Sequence, residues 1–148
     1  MVTLKHVILR LRRGAAAAEL AIVGPLFLMV CLGIIEFGRS MMANKMVTTA
    51  AREGARMAAA DGSTNAEVVS SIQAFMNSTL AVPPSNVNVA ITTKPADGNP
   101  DPANVVANCQ AGDLVTVKVE VPFESVALIP GTYLAGKVMV GESAMRHE

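Results

Sequence analysis

Few residues in this chain have types and spacings that could do chemistry. Glu19 is an acid at the head of a long apolar run and follows the basic residues Lys5, Arg10, Arg12 and Arg13. A carboxylate at the centre of a membrane helix costs about 2.5–3.5 kcal/mol on insertion scales, and less near the interface. Glu19 therefore either stays wet at the headgroups or meets a positive partner. Asp97, Asn99 and Asp101 alternate as at the start of a calcium loop. Such a loop needs a turn-forming Gly and a bidentate Glu, whereas Pro102 and Asn108 stand in those places. A Pro/Gly/Asp turn explains the segment, so no metal site is expected. His6 and His147 lie near opposite ends, Cys31 lies within the apolar run, and Cys109 lies far downstream. Neither pair is expected to act together. No nucleophile motif or Gly-rich phosphate loop is present, so neither an enzyme nor a cofactor is expected. A formal charge of zero gives no reason to expect nucleic acid as a partner.

The element that must position Glu19 is a helix. Ala15 to Ile35 holds 21 residues with one charge, which as a helix spans roughly 30 Å, the thickness of a hydrocarbon core. A cleaved secretory signal would need a shorter run followed by small residues, and Glu36-Phe37-Gly38-Arg39 is no such site. The reading is a retained membrane helix over 15–37. Its basic leader, 1–14, is cytoplasmic and the remainder, 38–148, is outside. Pro25 is a kink position that neighbouring helices can compensate.

The helix is expected to continue to about residue 60, where Asp61-Gly62-Ser63 stops it. Ala43, Val47, Ala50 or Ala51, Gly54 and Ala58 form a stripe of small residues at helical spacing. That stripe packs either on the protein's own head or in a bundle of several subunits. Arg52 and Arg56, with Glu53 beside them, are expected to be solvated charges. A second helix is predicted over 65–80, opened by a capping box of Thr64 and Glu67, with Val68, Ile72, Phe75, Met76 and Leu80 on one face. The period then changes to two, which predicts strands at about 87–93, 113–121 and 136–145. Phe123 to Tyr133, with Pro130-Gly131, links the last two and has room for one helical turn. One face of each strand is apolar, so the fold class is α+β: a long N-terminal helix and a second helix on a small antiparallel sheet of about three strands.

Taken together, Arg12-Arg13-Gly14, the Ala15–Ala18 run, Glu19 and the apolar segment resemble the class III signal of type IV pilins and pseudopilins. With Pro25, Glu36-Phe37-Gly38-Arg39 and Ala51-Arg52-Glu53-Gly54-Ala55-Arg56, the first third of the chain is similar to the TadE-like proteins of tight-adherence (Tad, or Flp) pilus systems. The resemblance implies a pilin-like helix, cut by a prepilin peptidase between Gly14 and Ala15. It also implies that Glu19 meets a neighbour's new amino terminus in a helical bundle. Ala15 stands where many pilins carry an aromatic residue. Leu20 stands where major Flp pilins usually carry Tyr, which points to a minor pilin or pseudopilin. The implied location is the bacterial inner membrane, and the implied partners are other pilin-like subunits and the pilus assembly machinery. Two other readings are a permanently anchored binding or adhesion module outside the membrane and, less favoured, a small anchored enzyme.

Overall fold

The computed structural model describes the backbone of residues 2–127, 134 and 136–148, and side chains from Ala16 onward within those ranges. Pro130, Gly131 and Tyr133 lie outside the described residues, as do the side chains of the leader, His6 included. The chain divides into two compact units, Met1–Phe37 and Gly38–Glu148.

The first unit is helical. Helix α1 covers Val2–Ala58 and contains Pro25 without a break in the helix. Gly14 and Ala15 are both within that helical backbone.

The second unit holds the remainder of α1, a second helix and a sheet. Helix α1 ends at Ala58, two residues short of the expected stop. Ala59 still donates to Ala55, and the turn then closes through Gly62, whose φ of 81° suits glycine. Helix α2, Asn65–Leu80, begins with the capping box: Thr64 Oγ1 accepts from the Glu67 N–H, and the Glu67 carboxylate accepts from the Thr64 N–H. It ends at Ala81, which takes the left-handed conformation with φ 55° and donates its N–H to Asn77 O. Val82, Pro83 and Pro84 then carry the chain away.

Strands β1 (Asn88–Lys94), β2 (Leu114–Pro122) and β3 (Val138–Arg146) form one antiparallel sheet in the order β1-β2-β3. The fold is α+β, as the alternating pattern implied. Each strand lies one or two residues further along the chain than the alternation suggested. The reasons are local. The Asp113 side chain accepts from the preceding loop while its carbonyl accepts from the His147 N–H just beyond the ladder, and Gly136 takes a positive φ of 72° before β3 begins. A short 3₁₀ turn at Phe123–Ser125 opens the β2–β3 connection.

The core lies between the sheet and the helices. β2 supplies Val115, Val117, Val119 and Val121, all fully buried, and α2 supplies Val68, Ile72 and Met76. Helix α1 answers with Ala43, Val47, Ala50, Ala51, Ala55 and Ala58. Large residues on one side meet small ones on the other, so the helix comes close to the sheet. The bundle alternative for the small-residue stripe is therefore overturned: the stripe is occupied by the protein's own head. Two glycines mark the closest approaches. A Cβ on Gly54 would collide with the Cδ1 of Ile72. A Cβ on Gly141, opposite Val119 in the register, would stand 2.6 Å from the carbonyl oxygen of Val47.

Candidate functional site

The first unit presents its apolar residues outward. Leu20, Ile22, Val23 and Leu26 to Val30 are all exposed, Ile22 at 77%, and Ile34 and Ile35 likewise. Soluble proteins rarely display a continuous apolar surface of this size, so the segment requires lipid or other apolar helices around it. The described part of α1 is one helix long and apolar enough to cross a membrane. Glu19 is exposed on this helix, one residue before the uncharged run begins.

At the end of that run the motif Glu36-Phe37-Gly38-Arg39 splits into different fates. Glu36 is withdrawn from solvent, 2% exposed, whereas Phe37 stays exposed and Gly38 borders open space. Arg39 belongs to the head unit. Its Nε and Nη2 both donate to the Val126 carbonyl oxygen, at 3.0 and 2.9 Å. The planar guanidinium thus clamps the turn that follows β2 onto α1 across 87 positions of sequence.

The second motif divides by helical face. Ala51, Gly54 and Ala55 are buried against the head, and Arg52, Glu53 and Arg56 point to solvent. Arg56 and Glu53 pair at 2.6 Å. That hydrogen bond holds the Glu53 carboxyl below its ordinary range and raises the Arg56 guanidinium. Both side chains are exposed, so the pair adds little to stability.

Both motifs and the apolar run thus lie on one helix in a fixed order. Residues 14–56 match the family model of TadE-like proteins. This TadE-like segment takes in Gly14, Glu19, Pro25 and both motifs, and it leaves α2 and the sheet outside. It points to involvement in Tad pilus assembly and agrees with the family that the motifs resembled. No match to a curated protein or to a solved structure was found.

Outside the TadE-like segment, the head holds a residue that motif reading missed. Asp113 is completely buried. Its Oδ1 accepts from the Ala96 N–H at 2.8 Å and from the Asn99 amide at 2.7 Å, and its Oδ2 accepts from the Gln110 N–H at 2.8 Å. These donors, the Gln110 N–H foremost, hold the carboxyl below the usual range, and His147 adds a weaker pull. One side chain thereby ties the long 95–113 loop to the start of β2. The signal in the sequence was only an Asp directly before a strand, which is common in turns.

The calcium-like spacing is spent on the same loop. Asn99 serves Asp113, and the Asp101 carboxylate turns back to accept from the Ala103 N–H. Among the described residues, no group of His, Cys, Asp and Glu is placed to hold a metal. Cys109 is half-buried beside this node, and burial together with the Asp113 charge pushes its thiol up. His147 is buried at the other end of the node, with Nδ1 3.7 Å from Asp61. Its backbone exchanges hydrogen bonds with Gly112 and Asp113.

Proposed function

We propose that the chain is a minor-pilin- or pseudopilin-like structural subunit for assembly of a Tad/Flp-type pilus or a related secretion apparatus, and that it is not an enzyme. The observation that carries this reading is the exposed apolar stretch of a TadE-like helix, joined to a head that buries its own core. A stretch of helix whose apolar side chains face outward is available to lipid first and to neighbouring helices afterwards. The basic leader holds the chain in the inner membrane as a single span, with the head on the far side. A prepilin peptidase cuts between Gly14 and Ala15, and the freed helix bundles with those of other pilin-like subunits. Glu19 then pairs with a neighbour's amino terminus, which offsets the cost of its charge in an apolar bundle.

Mass spectrometry of the mature protein tests this directly. A chain that starts at Ala15 supports the proposal, and Gly14→Ala should leave the leader attached. Glu19→Ala should leave the protein in the membrane but lower its recovery in sheared surface fibres. An intact N-terminus with normal behaviour of Gly14→Ala would instead favour a permanently anchored binding module.

A further inference from the structure

The two edges of the head's sheet are finished differently. Among the described residues, no strand lies beyond β3. The Phe123 N–H donates to Lys137 O and the His147 N–H to Asp113 O, so the odd-numbered residues of β3 bond to β2. The N–H and C=O groups of Val138, Val140, Glu142, Ala144 and Arg146 therefore face away from β2, and all five residues are exposed. The β1 edge is guarded instead. Its outward N–H at Thr93 donates to Asn104 Oδ1 at 2.9 Å, and the Asn104 N–H donates to Thr93 Oγ1 at 3.0 Å. Asn104 thus does at Thr93 what a neighbouring strand would do. Asn65 of α2 holds it there: its amide donates to the Asn104 carbonyl and its Oδ1 accepts from the Val106 N–H, both at 2.8 Å. Ala103 and Asn104 both take the left-handed backbone, with φ of 56° and 61°. Asn enters that region readily and Ala does not, so the loop bends against preference to set the guard.

Direction and charge say what fits the guarded edge. β1 and β3 are both antiparallel to β2, so they run parallel to each other. A second copy can therefore add its β3 to β1 as a parallel strand, with both heads pointing the same way. Lys94 is the one charged residue of β1 and Glu142 the one acid of β3. Both are exposed, and neither is in an ion pair among the described residues, because Lys118, opposite Glu142, pairs with Glu120. Setting Glu142 beside Lys94 fixes the register. Val140 then lies beside Thr92, and Met139 lies beside Ile91 on the buried face. In that register the Val140 carbonyl meets the Thr93 N–H, the group that Asn104 holds. A two-fold pairing of β3 with β3 could set Glu142 against Arg146. It would also turn the second head end for end, because α1 runs alongside β3, with Val47 at Gly141 and Ala59 at Glu148. The parallel pairing keeps the helices of the heads aligned, as the proposed bundle requires, and on this point the inference rests on that reading.

We propose that β1 is a concealed docking edge for the β3 strand of a second copy, and that Asn104 is the guard displaced when two heads join. The contact is head-to-tail, so it can repeat from copy to copy.

The test uses the full-length chain in detergent, with Cys31→Ser and Cys109→Ser as the parent. Asn104→Gly frees the Thr93 N–H and suits the left-handed backbone. Light scattering should show it shifted to dimers and larger species at a concentration where the parent keeps its size. Thr92→Cys on one chain should form a disulfide with Val140→Cys on another, and faster with Asn104→Gly than without it. Lys94→Glu should abolish the association, and Lys94→Glu with Glu142→Lys should restore it. Asn65→Ala loosens the same loop but leaves Asn104 on Thr93, so it should behave as the parent. Circular dichroism verifies that each variant is folded. A folded Asn104→Gly chain that keeps the size of its parent overturns the proposal. If the disulfide forms equally fast without that substitution, Asn104 guards nothing. Equal association of Asn65→Ala would trace the effect to lost stability and sink the guard as well. Efficient cross-linking of Ala144→Cys with itself would assign the edge to a two-fold pairing of β3 and overturn the parallel one. The loss of Glu19→Ala from sheared fibres tests the bundle separately from all of these.

Discussion

Asp113 fixes the 95–113 loop by accepting three hydrogen bonds in a place closed to water, which makes its ionisation part of the fold. The unfolded carboxyl titrates near pH 3.9, and the folded one titrates lower because its partners favour the charged form. The stabilisation is therefore complete above about pH 4 and is lost as the pH falls through the folded value. Chemical denaturation of the full-length protein in detergent should show stability falling in that acid window. Asp113→Asn should be less stable at neutral pH, because the new amide points a donor at a backbone donor, and its acid dependence should be flatter. Gly141 acts by having no side chain. Gly141→Ala should cost about 1–3 kcal/mol in the same assay, because the intruding methyl meets the backbone of Val47 and Thr48 and not a side chain that can turn away. Neither residue was legible in the sequence. The role of Asp113 depends on three donors scattered over the preceding 17 residues, and that of Gly141 depends on a helix almost a hundred positions away.

At the scale of elements, what could be read was what is local. The capping box of α2 needs only Thr64 and Glu67, and the four valines of β2 announce a strand with one buried face. The end of α2 was legible from Pro83 and Pro84, but the left-handed Ala81 was not. Ala81→Gly should raise stability by about 0.5–1 kcal/mol, measured as a higher melting temperature, because glycine accepts that conformation without strain. The small-residue stripe on α1 was legible as a stripe, but not its partner. Sequence spacing tells that something comes close, and only the folded sheet tells what. The Arg39 clamp joins elements in the same non-local way. Arg39→Ala should destabilise the head by about 1–2 kcal/mol by leaving the Val126 carbonyl without its charged donor. Arg39→Lys should recover only part of this, because a lysine lacks the two-pronged fork.

For the whole molecule, the buried core cluster of the described residues runs from Ala43 to Met139, within the second unit. Residues 38–148 expressed alone should give a folded, water-soluble protein with one cooperative thermal transition and a dispersed amide spectrum. A transition without cooperativity would mean that the head borrows stability from the segment removed. The division of labour was visible in outline from composition, because the uncharged run and the alternating strands occupy separate stretches of the chain.

The small-residue stripe has a practical consequence for genetics. The small-residue face of α1 between Ala43 and Ala58 is committed to the head's interior, while residues 20–35 of the same helix present exposed apolar side chains. Substitutions on that buried face should therefore lower the cellular amount of the protein. Those in the earlier stretch should leave its abundance intact and change only what it builds. Immunoblots read beside electron micrographs of the cell surface would sort a mutant library into those two phenotypes, with the dividing line close to Gly38.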